Sequence, residues 1–136
     1  MKKGLPILRY ALILVLAWLL ASLLEPAVLQ VYKLIYPIEP VGTYSDLDLT
    51  EFGVFIDNFI FCFALLGILL GGVKRYTVVG IFLALSLVLS IFGDSSHILF
   101  WPIALVSGPV LGYVLRFAIS KTLGKTPTFQ SWKKYF

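Results

Sequence analysis

Long apolar runs separated by short polar segments dominate the pattern of this chain. A helix that crosses a bilayer needs about 20 largely apolar residues, so the pattern predicts an all-α membrane protein, a four-transmembrane-helix bundle in one domain. Residues 25–51 carry prolines and acids and predict an outer loop or interfacial helix, and residues 119–136 form a basic tail. The four predicted spans are residues 5–24, 52–72, 77–92 and 98–118.

The segment after span one has two interpretations. A polar stripe runs along residues 27–36 on an otherwise apolar pattern, because the following residues recur at helical spacing: Pro26, Gln30, Lys33 and Pro37. Such a segment can extend span one as a kinked helix, or it can lie along the outer interface. Both interpretations stay open, and residues 37–51 are expected to form the longest loop.

Charged residues divide between the two sides of the predicted bundle. Ten of the eleven Lys and Arg residues lie toward one side, and all seven acids lie toward the other. Loops rich in Lys and Arg stay in the cytoplasm during insertion. We therefore expect both termini inside, by default in a prokaryotic plasma (inner) membrane. The cytoplasmic anchors are Arg9, Lys74, Arg75, Arg116 and Lys121.

Composition places the chain in the lipid bilayer. It is 60% hydrophobic and only 13% charged, against about a quarter charged in soluble domains. The net charge of +4 reflects cytoplasmic anchoring, and the scattered basic residues do not indicate nucleic-acid binding. The single Cys62 excludes a disulfide within the chain. Residues 1–24 are expected to be a retained span, because no small-x-small site for signal cleavage follows them.

Small residues recur along one stripe of spans two and four. At about 100° per residue they fall near one line on each helix, and small residues let a second helix approach closely in lipid. Each stripe ends in a GxxxG pair, so we expect the two stripes to face each other, within one bundle or across a dimer. The stripes contain Gly53, Ala64, Gly67 and Gly71 on span two, and Ala104, Gly108 and Gly112 on span four.

Titratable residues lie toward the outer ends of the same spans. Asp57 precedes the first glycine of its GxxxG pair by ten residues, and His97 precedes the first glycine of its own pair by eleven. The two side chains are therefore predicted at similar depth, where a carboxylate and a histidine can handle protons or a cation. Asp94 and Glu25 lie toward the same side and complete this candidate site.

Each of these residues also has a purely structural interpretation. Asp94, followed by two serines, fits a helix N-cap, Asp57 can be hydrogen-bonded inside a bundle, and His97 can be a solvated loop residue. Asn58 lies on another face and is expected to bond a neighbouring helix or the backbone of span one. One histidine and scattered carboxylates lack a zinc-ligand spacing, so we predict no metal site, and the sequence does not identify a cofactor.

Two functions follow from these features. Small size, sparse polar chemistry and the packing stripes favour a small integral membrane subunit that packs into a larger membrane complex and helps to assemble or stabilise it. Its partners would be other membrane subunits or further copies of the chain. The alternative is a small proton- or cation-coupled transporter or channel that uses Asp57 and His97.

An outward-facing intramembrane hydrolase is the third possibility. Four spans, cytoplasmic ends and outer aspartates make the architecture similar to that of the lipoprotein signal peptidases. The Asn-x-x-Asp and Asn-x-Ala-Asp motifs of that family are missing around Asp57 and Asp94. The resemblance therefore implies no residue roles, and the enzyme interpretation is the least favoured.

Overall fold

Four α-helices make up the described part of the chain. A computed structural model describes residues 4–35, 44–92 and 100–123, with side chains described within 7–35, 51–88 and 102–122. All regular structure in these ranges is helical, which confirms the all-α prediction. The helices are α1 (Gly4–Ile35), α2 (Tyr44–Leu70), α3 (Arg75–Phe92) and α4 (Phe100–Leu123).

Three of the helices are long and apolar enough to cross a membrane. Their candidate spans are Ile7–Ile35 in α1, Glu51–Leu70 in α2 and Pro102–Thr122 in α4. The described apolar part of α3, Arg75–Val88, is shorter. These lengths and compositions indicate an integral membrane protein.

The helix α1 continues well past the predicted end of span one. It runs through Pro26 without interruption to Ile35. A proline removes one hydrogen bond from the helix interior, but membrane helices tolerate this where neighbouring groups compensate. Tyr32, in the second part of the helix, is buried. Residues 27–35 therefore extend the first helix, and α2 begins at Tyr44, within the segment that we expected to form a loop.

The central helix of the arrangement is α2. Each of the other three helices packs against α2, and contacts between any other two helices are few. In an apolar stretch of 18 residues within each candidate span, 44% of the residues are buried in α2, compared with 17% in α1 and in α4. Within the described chain, α2 is thus the most buried helix, and α1, α3 and α4 pack around it.

The contact between α1 and α2 is antiparallel and uses small residues. Ala17 and Ala21 are fully buried and form one cluster with Cys62 and Phe63 of α2. Because these two residues carry only a methyl group, α1 and α2 can approach closely. The Cys62 side chain is fully buried between them as well.

The helix α3 packs on another face of α2. A Cβ atom placed on Gly67 would lie 2.5 Å from Cγ2 of Val79, so this glycine makes room for the α3 side chain. The rings of Phe63 and Phe82 meet with centroids 4.1 Å apart. Gly67 therefore serves the contact with α3.

The helix α4 runs parallel to α2 and touches its backbone. A Cβ on Gly108 would lie 2.7 Å from the carbonyl oxygen of Phe61, and a Cβ on Gly112 would lie 2.7 Å from that of Leu65. Both glycines meet residues one helical turn apart, and the sequence offset is the same in both pairs. The two glycines thus hold α4 and α2 close together in a single register.

This register differs from the one expected from the sequence. Two stripes that face each other and both end in a GxxxG pair would bring Gly67 near Gly108. In the structure Gly108 lies against Phe61 and Ala64, while Gly67 lies against α3. The reason is that Gly108 and Gly112 pack on the backbone of α2 at Phe61 and Leu65. Compared with an alignment of Gly108 with Gly67, α4 is therefore displaced along α2 by about one helical turn.

Enlarging a glycine at the α2–α4 contact should destabilise the protein. For Gly108→Ala the added methyl group meets a carbonyl oxygen at 2.7 Å, and we expect the free energy of unfolding to fall by about 1–3 kcal/mol. Gly80→Ala is the matched control, since a Cβ there has nothing within 4 Å. Unfolding of both variants in mixed detergent micelles measures the difference, and equal stabilities would contradict the close contact.

Candidate functional site

A cluster of basic and hydroxyl groups closes the C-terminal end of α2. The Tyr10 hydroxyl donates a hydrogen bond of 2.7 Å to the carbonyl oxygen of Gly71. Arg75 is only 6% exposed, and its guanidinium donates a hydrogen bond of 3.2 Å to the carbonyl oxygen of Ile68. Cations and donors are favourable here because the last carbonyls of a helix lack partners within the helix and carry partial negative charge.

Gly72 ends α2 in the left-handed conformation, with φ of 71°. Glycine adopts this conformation without steric cost and commonly follows the last residue of a helix. A Cβ at Gly72 would collide with the Arg9 guanidinium. Arg9 of α1 therefore packs directly against the turn between α2 and α3.

The other predicted anchors lie at the surface or near it. Lys74 and Lys121 are exposed, and Arg116 is partly buried. Arg9, Lys74 and Arg75 thus lie together at one end of the α1–α2 pair. Their assignment to the cytoplasmic side stays a prediction.

The opposite end of the α1–α2 pair carries an ion pair. Nζ of Lys33 lies 3.8 Å from Oε1 of Glu51, and both side chains are about two-fifths exposed (45% and 39%). An exposed pair of this kind contributes about 0–1 kcal/mol. Together with the hydrogen bond from Tyr10 to Gly71 at the other end, this ion pair defines how α1 and α2 align along their length.

Asp57 lies on the face of α2 that meets α4. It precedes Phe61, Ala64 and Ile68 at helical spacing, and these residues pack against Gly108 and Gly112. The Asp57 residue is partly buried. The register of α2 and α4 puts Asp57 near the level of Ala104, and the role of this carboxylate stays a prediction.

Glu25 lies on the face of α1 that meets α2. It follows the fully buried Ala17 and Ala21 and precedes the buried Tyr32 at helical spacing. Its residue is partly buried. An acid on the packed stripe of a membrane helix is costly and by default indicates function.

Asn58 is a buried polar residue that the sequence analysis left outside the site. It is 7% exposed, and its Nδ2 atom has no hydrogen-bond partner among the described residues. We expected this amide to bond a neighbouring helix or the backbone of span one, and the structure shows no such bond to Nδ2. The signal that could have found it is its spacing from Val54 and Cys62, which lie one turn away on either side and are both buried.

The remaining predicted site residues divide into two groups. His97 and Asp94 lie outside the described residues, so the pairing of His97 with Asp57 stays a prediction. Gly53 and Ala104 are partly buried, Ala64 is fully buried, and Gly71 is buried at the end of α2. Within the described residues, no three His, Cys, Asp or Glu side chains form a group that could hold a metal ion.

Two apolar grooves open on the outside of the helices. One, of about 400 Å³, lies where α1 meets α3, and the other, of about 390 Å³, lies on α4. The first is lined by Ile7, Tyr10, Ala11, Leu14 and Val78, and the second by Pro102, Ile103, Val106, Ser107 and Val110. Surfaces of this kind suit lipid chains or apolar side chains.

Comparison of this chain with protein-family models, with curated proteins and with solved structures gives no match.

The hydrogen bond from Tyr10 should stabilise the α1–α2 contact measurably. Tyr10→Phe removes the donor to Gly71 and should lower the free energy of unfolding by about 1 kcal/mol. Tyr113→Phe is the matched control, because Tyr113 is 57% exposed on α4. Equal unfolding curves for the two variants in the same detergent would show that the bond contributes nothing.

Proposed function

We propose that this protein is a small integral membrane subunit that packs into a larger membrane complex and helps to assemble or stabilise it. The observation that carries the proposal is the outer face of α3. Thr77, Gly80 and Ala84 are exposed there at helical spacing, and a Cβ on Gly80 has nothing within 4 Å. Small residues in membrane helices serve close contact with another helix.

Other glycines of the chain provide the contrast that makes this face informative. Gly67, Gly108 and Gly112 each make room for a neighbouring helix of the same chain. Gly80 leaves the same kind of room on a face that no described residue fills. A helix of another subunit, or of a second copy of the chain, would fit against α3 at this position.

Enlarging Gly80 should block association without unfolding the chain. Gly80→Leu adds a side chain to an open face, so we expect normal folding and loss of the partner during purification from native membranes in mild detergent. Val110→Leu is the control, since Val110 is exposed on α4, away from this face. Mass spectrometry of the co-purified polypeptides gives the readout. Retention of all partners by Gly80→Leu would reject α3 as the contact face.

For the orientation, we propose four crossings with both termini in the cytoplasm, in a prokaryotic plasma membrane. The 18 residues of α3 extend about 27 Å, close to the thickness of about 30 Å of a hydrocarbon core. The clustering of Arg9, Lys74 and Arg75 at one end of the helices supports this orientation under the positive-inside rule.

Cysteine labelling tests the orientation directly. A membrane-impermeant maleimide should label Glu51→Cys in intact cells, and it should label Lys74→Cys only after the membrane is opened. The native Cys62 is fully buried and should not react, so the unmodified chain is the control. Labelling of Lys74→Cys in intact cells would invert the topology.

A small proton- or cation-coupled transporter or channel is the second candidate, and Asp57 is the observation that favours it. This acid is partly buried at the α2–α4 contact of a membrane protein, where ionisable residues are costly unless they serve a pathway. Asp57→Asn and His97→Ala should then fold normally and abolish ion flux into proteoliposomes. Unchanged flux in both variants would remove this candidate.

A further inference from the structure

Two polar groups without partners lie on facing surfaces of α1 and α2. Glu25 makes no hydrogen bond or ion pair with any described residue. Nδ2 of Asn58 likewise has no partner among the described residues, although Asn58 is more than nine-tenths buried. One group carries negative charge, and the other is an amide that must find a hydrogen bond or a ligand.

The alignment of the helices brings these groups to the same depth. Arg9 packs beside Gly72 at one end of the antiparallel pair. Glu25 follows Arg9 by sixteen residues and Asn58 precedes Gly72 by fourteen, so both lie about 21–24 Å from that end. The ion pair between Lys33 and Glu51 at the other end gives the same alignment.

Both groups also lie on the side where α1 and α2 meet. Glu25 shares its stripe with Ala21, which packs against Cys62. Asn58 lies one turn before Cys62 on α2 and so points toward the same side of the helix. Asp57, one residue earlier, is rotated by about 100° toward α4, so it belongs to the other contact.

Leaving these groups unsatisfied is unfavourable. A carboxylate on the packed face of a candidate membrane span needs a partner or water. A buried amide donor without an acceptor adds the cost of its lost hydration. A single ligand that satisfies both groups would remove both costs at once.

We propose that Glu25 and Asn58 form a binding site for an alkali-metal cation between α1 and α2. The carboxylate balances the charge of a monovalent cation, and it needs no second acid to do so. Half a turn of the Asn58 amide exchanges its nitrogen and oxygen, so that the oxygen faces the ion and the nitrogen takes the present place of the oxygen. Water completes the coordination, because the site lies about 10 Å from the Lys33–Glu51 end of the helices.

The charges around the site favour a monovalent ion. Divalent cations take several carboxylate oxygens in proteins, while Glu51, the other acid at the α1–α2 contact in the described chain, is paired with Lys33 and lies about 10 Å away. Lys33 follows Glu25 by eight residues and is paired with Glu51, so it does not neutralise the site. The site is independent of the contact proposed on α3.

Equilibrium binding of radioactive sodium tests the proposal. The full chain in lipid nanodiscs should show saturable binding of sodium that excess unlabelled sodium displaces and choline does not. Glu25→Gln should abolish the binding, and Asn58→Leu should weaken it by about tenfold through loss of the amide ligand. Gln30→Leu is the matched control: it removes an amide side chain that is exposed on α1, outside the site, and should leave the binding intact.

Two further measurements keep the outcome clear. Sodium should raise the melting temperature of the native chain and not that of Glu25→Gln, because a ligand stabilises the state that binds it. If Glu25→Gln does not fold, Glu25→Asp replaces it and should bind sodium more weakly. Absence of saturable binding to the native chain, or binding unchanged in the Glu25 and Asn58 variants, would overturn the proposal. The association assay with Gly80→Leu reads out separately, so failure of one proposal leaves the other standing.

Discussion

Close approach of helix backbones is the constraint on which this structure depends. Lipid chains are as apolar as leucine, so the hydrophobic effect does not drive helices together inside a membrane, and packing must do so instead. The helix α2 meets this requirement on three faces, with alanines of α1 against Cys62, Gly67 under Val79, and two glycines of α4 against its carbonyl groups. Every helix of the described chain is held by its contact with α2.

Polar contacts link the helices at both ends of the α1–α2 pair. At one end Tyr10 and Arg75 donate to the last carbonyls of α2, and Arg9 packs on the turn that follows. At the other end an exposed ion pair links α1 and α2. These contacts align the two helices, and the alignment in turn decides that Glu25 and Asn58 lie at one depth.

Much of the fold can be predicted from the sequence, because apolar runs and charges report directly on the bilayer. The role of Gly108 and Gly112 in close packing can be read from their spacing. Their register on α2 cannot, since two glycine pairs of equal appearance face different helices, and only the shape of the neighbouring side chains decides which. Likewise Pro26 looks like the end of a helix in sequence, but the apolar residues that follow it continue α1 to Ile35.

The position of Asp57 has a consequence for the order in which the chain assembles. During synthesis α1 and α2 enter the membrane first and α4 enters last, because chains fold from the N-terminus as they emerge. Until α4 arrives, the face of α2 that bears Asp57 and Phe61 lacks the helix that packs against it in the folded chain. A chain interrupted before α4 would thus leave the Asp57 carboxylate without the neighbouring helix, although an ionisable side chain in a membrane needs a partner or water.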